Sequence, residues 1–112
     1  MTKYRNRVLN TEDGRFDSVK ELARWQELKL LQRSGEIYDL QRQVHFVILP
    51  SQMDELTGKL LEREVKYIAD FTYRSTKNGR IVVEDVKGLR TKEYIIKRKL
   101  MLYRHGIKIK EV

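Results

Sequence analysis

The 112 residues contain no cysteine. Structural disulfides and cysteine-based zinc sites are therefore excluded, and a reducing compartment is compatible with the chain. Histidine is scarce too, with only His45 and His105. Neither has a second His or Cys at ligand spacing. His45 reads as a rim residue of a strand, and His105 as a favourable charge at a helix C-terminus. The single proline, Pro50, closes a strand. No apolar run approaches the roughly 20 residues that span a bilayer, so no membrane role is expected. The first residues, Met1 to Arg7, lack the apolar stretch of a secretory signal, and a cytoplasmic protein is expected. Internal repeats and low-complexity tracts are also missing.

What is present is charge. Charged residues make up 36% of the chain and hydrophobic ones 40%, the balance of a globular domain with a heavily charged surface. The net charge is +8 and is unevenly spread. From Val86 onward nine Lys and Arg face only Glu93 and Glu111, while the first 85 residues are close to neutral. Such asymmetry suggests a face that meets a polyanion, against the plainer reading of a solubilising surface.

Residues 1–15 are polar and basic and read as an arm ahead of a single domain spanning residues 16–112. Lys3, Arg5 and Arg7 could touch a phosphate backbone, or the arm could be a disordered end. Ser18-Val19-Lys20-Glu21 is a capping box, so a helix is predicted from Val19 to Arg33, stopped by Ser34-Gly35. Glu21, Trp25, Leu28 and Gln32 fall on one stripe, with Trp25 as core. Leu40 to Leu49 reads as a strand. Ser51 to Glu64 is either a helical turn near Met53–Leu56 or a hairpin through Thr57-Gly58. Val65 to Tyr73 is a second strand, interrupted by Asp70, a residue type that strands avoid. Asn78-Gly79 is a strong hairpin signal linking it to a third strand, Ile81 to Lys87. Thr91 caps a helix from Lys92 to His105, whose buried stripe is expected to be Ile96, Leu100 and Tyr103. Ile107 to Lys110 alternates as an edge strand.

Strand alternation puts Ile81, Val83, Asp85 and Lys87 on one face, and Val82, Glu84 and Val86 on the other. Counting from the turn brings Asp70 beside Asp85. Glu21 is either a plain capping residue or a carboxylate held over the sheet. Carboxylates gathered this way repel unless protonated or neutralised, and hard oxygen ligands select Mg²⁺ or Mn²⁺. Such an ion polarises a phosphoryl oxygen, and a lysine beside it can stabilise developing charge. The plainer reading of Asp85 and Lys87 is an ion pair at a strand end.

Asp70 followed by Asp85-Val86-Lys87 resembles the PD-(D/E)XK nuclease motif. Tyr67-Ile68-Ala69-Asp70-Phe71, Val83-Glu84-Asp85-Val86-Lys87-Gly88 and the helix start Phe16-Asp17-Ser18-x-x-Glu21 are similar to small phage-encoded proteins related to Holliday junction resolvases. Ala69 stands where proline is commoner, and Asp85 where glutamate is. The spacing selects Asp85 over Glu84, because only Asp85 shares a face with Lys87.

The resemblance implies an α/β fold with a restriction-endonuclease-like αβββαβ core, a mixed central sheet flanked by helices. It implies Mg²⁺, with Mn²⁺ as a substitute, held by Asp70, Asp85 and the Val86 carbonyl. Glu21 would complete the site, and Lys87 would position the attacking water. Arg90, Lys92, Lys97 and Lys99 would contact DNA phosphates, and Gln43 would line the site. The expected function is a structure-selective DNA endonuclease of a phage recombination or replication module, acting as a homodimer in the bacterial cytoplasm. The rivals are a non-catalytic nucleic-acid-binding module and a phage–host interaction protein that reuses the scaffold.

Overall fold

A computed structural model describes residues 8–112. Lys3, Arg5 and Arg7 of the expected basic arm lie outside the described residues.

The capping box acts as the sequence suggests. Helix α1 runs Val19–Arg33, with the Ser18 side chain accepting from the Glu21 N–H. Helix α2 runs Lys92–His105, capped by Thr91 and ended by Gly106 in the left-handed conformation. Three long strands form with them: β3 (Ile37–Leu49), β6 (Val65–Ser75) and β7 (Ile81–Asp85), and a short β8 (Lys110–Glu111) follows α2. The sheet order is β3-β6-β7-β8. The first three strands are antiparallel and β8 runs parallel to β7, so the sheet is mixed. Helix, three strands, helix, strand is the order of the core elements.

Two small hairpins are added to this core. The first pairs β1 (Leu9–Thr11) with β2 (Gly14–Phe16). This part of the expected arm is strapped down, because Phe16 is fully buried. The Asp13 carboxylate at its turn accepts from Trp25 Nε1 at 2.9 Å and from Lys29 Nζ at 2.7 Å. The second hairpin pairs β4 (Gln52–Met53) with β5 (Leu60–Glu62), realising the hairpin alternative for this segment. Asp54 holds its turn by accepting from the N–H groups of Leu56 and Thr57.

The core falls into two clusters, one on each helix. Trp25 and Leu28 of α1 pack with Phe16, Ile37, Phe71 and Tyr73. Tyr94 and Met101 of α2 pack with Ile48, Tyr67, Ala69, Val83 and Ile109. Residues 67, 69, 71 and 73 share one parity along β6, yet they divide between the two clusters. The divide falls at Asp70. There the register would set Gln43 opposite Asp70, but the two are unpaired, and Gln43 has φ +51°. A positive φ at a non-glycine residue marks a local break in strand geometry.

Of the stripe expected to be buried on α2, Leu100 is partly buried against the core, and the other two positions are corrected. Ile96 and Tyr103 are exposed, and Tyr94 and Met101 are buried instead. Apolar residues surround this helix, so its pattern does not fix which side meets the sheet. His105 does more than end the helix, since its Nε2 lies 2.8 Å from the Val47 carbonyl of β3.

Candidate functional site

The register of β6 and β7 pairs Phe71 with Glu84, which brings Asp70 level with Asp85 one step further on. Strand β7 ends at Asp85, two residues short of the expected Lys87, and its opposite faces lead to two separate charged groups. Asp85 and Lys87 face α2, and Glu84 faces α1.

Asp85 is buried, and its Oδ2 is the focus of the first group. The Tyr67 hydroxyl donates to it at 2.8 Å, and Lys87 Nζ lies 3.0 Å away. The Lys87 ammonium also sits 3.9 Å from the centre of the Tyr94 ring. Asp70 accepts from the Val86 N–H at 2.8 Å. Val112 fixes the backbone at this point: Lys87 N–H donates to the Val112 carbonyl, and Val112 N–H donates to the Asp85 carbonyl. The β8 end of the sheet therefore sets the spacing of Asp85 and Lys87. Lys20, in the first turn of α1, reaches the Lys87 carbonyl at 3.3 Å.

An open hollow lies over these groups, lined by Asp70, Asp85, Lys87, Tyr94 and Lys97, with Lys66 at its rim. Burial pushes the Asp70 carboxyl up to about 8, helped by its hydrogen bond and repulsion with Asp85 and opposed by the Val86 N–H. Two carboxyls this close cannot both ionise freely. Burial also raises Glu21, as does Asp17, while Arg42 pulls the other way. Desolvation raises Tyr67, so its phenol stays protonated as a donor.

A pH dependence of stability follows. The folded Asp70 holds its proton to a higher pH than the unfolded one, whose ordinary value is 3.8. Its contribution is complete below that value and is lost as pH rises towards about 8. At about 1.4 kcal/mol per unit, discounted for partial solvent contact, about 2–3 kcal/mol should be lost over this range without metal. Urea midpoints measured across it should fall, and Asp70→Asn should flatten the slope. An unchanged slope in that variant would assign the effect elsewhere.

The other expected residues are distributed unevenly. Glu21 is buried within electrostatic reach of Asp70 and Asp85, but its nearest cation is Arg42, at 3.9 Å. Among the described residues, no three His, Cys, Asp or Glu side chains converge closely enough to form a metal-holding group. Lys97 lines the hollow, 3.6 Å from Glu93. Arg90 instead clamps Glu111, with Nη2 at 2.8 Å. Lys92 and Lys99 are exposed on the side of α2 opposite Tyr94 and Met101, away from the hollow. Gln43 lines a different hollow with Arg15, Asp17 and Arg42.

The second charged group was not anticipated from sequence. Glu84 is 0% exposed and takes a bidentate grip from Arg24, at 2.8 and 2.7 Å, with the Tyr73 hydroxyl as a third donor. It anchors α1 to β7 one helical turn from Glu21. The only signal for it in the sequence was a carboxylate between valines, on the face opposite Asp85.

The family model for "Protein of unknown function (DUF1064)" matches residues 1–111. The chain belongs to this family. Comparison with curated proteins and with solved structures yields no match. The match runs through both hairpins and both helices, so Asp70, Asp85 and Lys87 stand within the family's own domain. Among the described residues no helix is long and apolar enough to cross a membrane.

Proposed function

We propose that the chain is a metal-dependent DNA endonuclease with a restriction-endonuclease-like core, selective for branched or otherwise structured DNA. The observation that carries this reading is the meeting of Asp70, Asp85 and Lys87 at one open hollow. The donor set suits a hard divalent cation: two neighbouring carboxyls, with Asp70 held protonated to a higher pH than usual chiefly by burial and next by its hydrogen bond with Asp85. Asp70 and Asp85 would hold Mg²⁺ or Mn²⁺ with the Val86 carbonyl, and Glu21, which does not converge with the two aspartates, would act through water. When bound, the ion would supply charge neutralisation and an activated water.

The chain's own groups do the rest. Tyr67 orients the Asp85 carboxylate by its hydrogen bond. Lys87, held between Asp85 and the Tyr94 ring, presents a fixed positive charge to a phosphate in the hollow. Lys66 and Lys97 flank the opening and suit phosphate contacts, which predicts strong salt dependence of binding. Among the described residues the charged groups at the hollow suit phosphate rather than base edges, so DNA shape is the expected determinant. A phage recombination or replication step in the bacterial cytoplasm accords with such an activity.

The deciding experiment is a cleavage panel of four-way junctions, flaps, nicked duplex and single strands, with Mg²⁺ and with Mn²⁺. Cutting of branched DNA above duplex supports the proposal. Absence of cutting on every substrate with both metals would leave a non-catalytic DNA-binding module. That second reading has one observation in its favour, namely that Lys87 and Tyr67 together already satisfy Asp85 Oδ2.

A further inference from the structure

The β4–β5 hairpin stands apart from the rest of the chain. It belongs to neither core cluster, and an isolated two-stranded hairpin is marginal in water. Yet it displays apolar side chains. Met53, Leu60 and Leu61 are exposed along it, and Leu56 at its tip is 97% exposed. A cluster of this kind on a soluble surface marks a docking site.

Charge identifies the occupant. Residues 49–64 carry Asp54, Glu55, Glu62 and Glu64 against Lys59 and Arg63, a net acidic segment in a chain of net charge +8. An acidic tip disfavours nucleic acid and favours a basic, partly apolar protein surface. This chain carries such a surface. Lys92, Ile96, Lys99 and Tyr103 recur at helical spacing on the outward side of α2, opposite its buried Tyr94 and Met101. Ile96 is exposed there, and Tyr103 is 87% exposed.

We infer that two copies of the chain form a twofold dimer in which each hairpin docks on the outward stripe of the other copy's α2. Leu56 and Leu60 would pack on Ile96 and Tyr103, while Asp54 and Glu55 would face Lys92 and Lys99. The exchange is reciprocal, so both surfaces of both copies are covered and the assembly closes at two. An aromatic anchor such as Tyr103 inside a polar rim is the usual make-up of such contacts. The hollow at Asp85 lies on the sheet side of α2, so both hollows stay open. The pairing holds whether or not the chain cuts DNA.

Sedimentation of the full chain tests it. A mass about twice the 13.5 kDa of one chain is expected. Leu56→Asp and Tyr103→Asp lie at exposed positions, so circular dichroism should stay unchanged while the dimer weakens about tenfold or more. Asp54→Asn, which keeps the oxygen that holds the turn, combined with Glu55→Lys should dissociate it, and adding Lys92→Glu with Lys99→Glu in the same chain should restore it. A monomeric wild type, open-ended filaments, or a dimer indifferent to either set of changes would overturn the inference. So would a dimer sensitive to the hairpin changes alone.

Discussion

Replacing Asp85 by Asn is expected to abolish Mg²⁺-dependent cleavage while leaving DNA binding nearly intact. Asp85 Oδ2 accepts from Tyr67 and pairs with Lys87, and the same carboxylate opposes Asp70. The amide removes the charge that would hold a cation and releases Lys87 from its anchor. A loss of about a thousandfold, roughly 4 kcal/mol of barrier, is reasonable for a group in that position. Binding should change little, because the flanking Lys66 and Lys97 are untouched. Single-turnover cleavage and a parallel binding titration separate the two effects. A variant that cuts as fast as wild type would remove Asp85 from the chemistry. Equal loss of binding and cleavage would instead point to a purely structural role.

The second large effect is expected from Arg24→Ala. Glu84 is fully buried and relies on Arg24 for two hydrogen bonds, with Tyr73 donating and Lys110 4.0 Å away. Hydrogen bonding to Glu84 holds the guanidinium more firmly charged than usual. Removing it strands a carboxylate between α1 and β7. Breaking one side of a buried pair costs about 3–5 kcal/mol. For a domain of this size that lowers the melting temperature by more than about 10 °C. Thermal melts by circular dichroism give the answer directly. Replacing both partners by apolar residues of similar volume should recover much of the loss, since no buried charge is left behind. A melting point unchanged in Arg24→Ala would show that water reaches Glu84.

Both helices were legible because their ends carry chemistry. Ser18 and Thr91 accept from the N–H three residues on, and Gly106 supplies the left-handed stop. The face of Asp85 was legible too, because alternation along a short strand leaves one choice beside Lys87. The buried side of α2 was not. Ile95, Ile96, Leu100, Met101, Leu102 and Tyr103 ring the helix, and only docking on the sheet selects Tyr94 and Met101. The β1–β2 hairpin was hidden for a different reason. Strands of three residues have no periodicity to detect, and what holds them is distant: the Arg42 guanidinium lies 3.7 Å from the centre of the Phe16 ring and donates to the Asp13 and Arg15 carbonyls. The Arg24–Glu84 contact joins residues 60 positions apart, which no local pattern reports.

The unpaired rung at Gln43 and Asp70 bears on how this scaffold tolerates change. Elsewhere in β6 a substitution disturbs either a helix-facing cluster or a cross-strand partner. At position 70 no rung to β3 is at stake, and an exchange gives up only the side chain's own contacts with the Val86 N–H and Asp85. The architecture thus treats its acidic position as a socket, and descendants that lose the carboxyl could keep the sheet, the helices and whatever surfaces they carry.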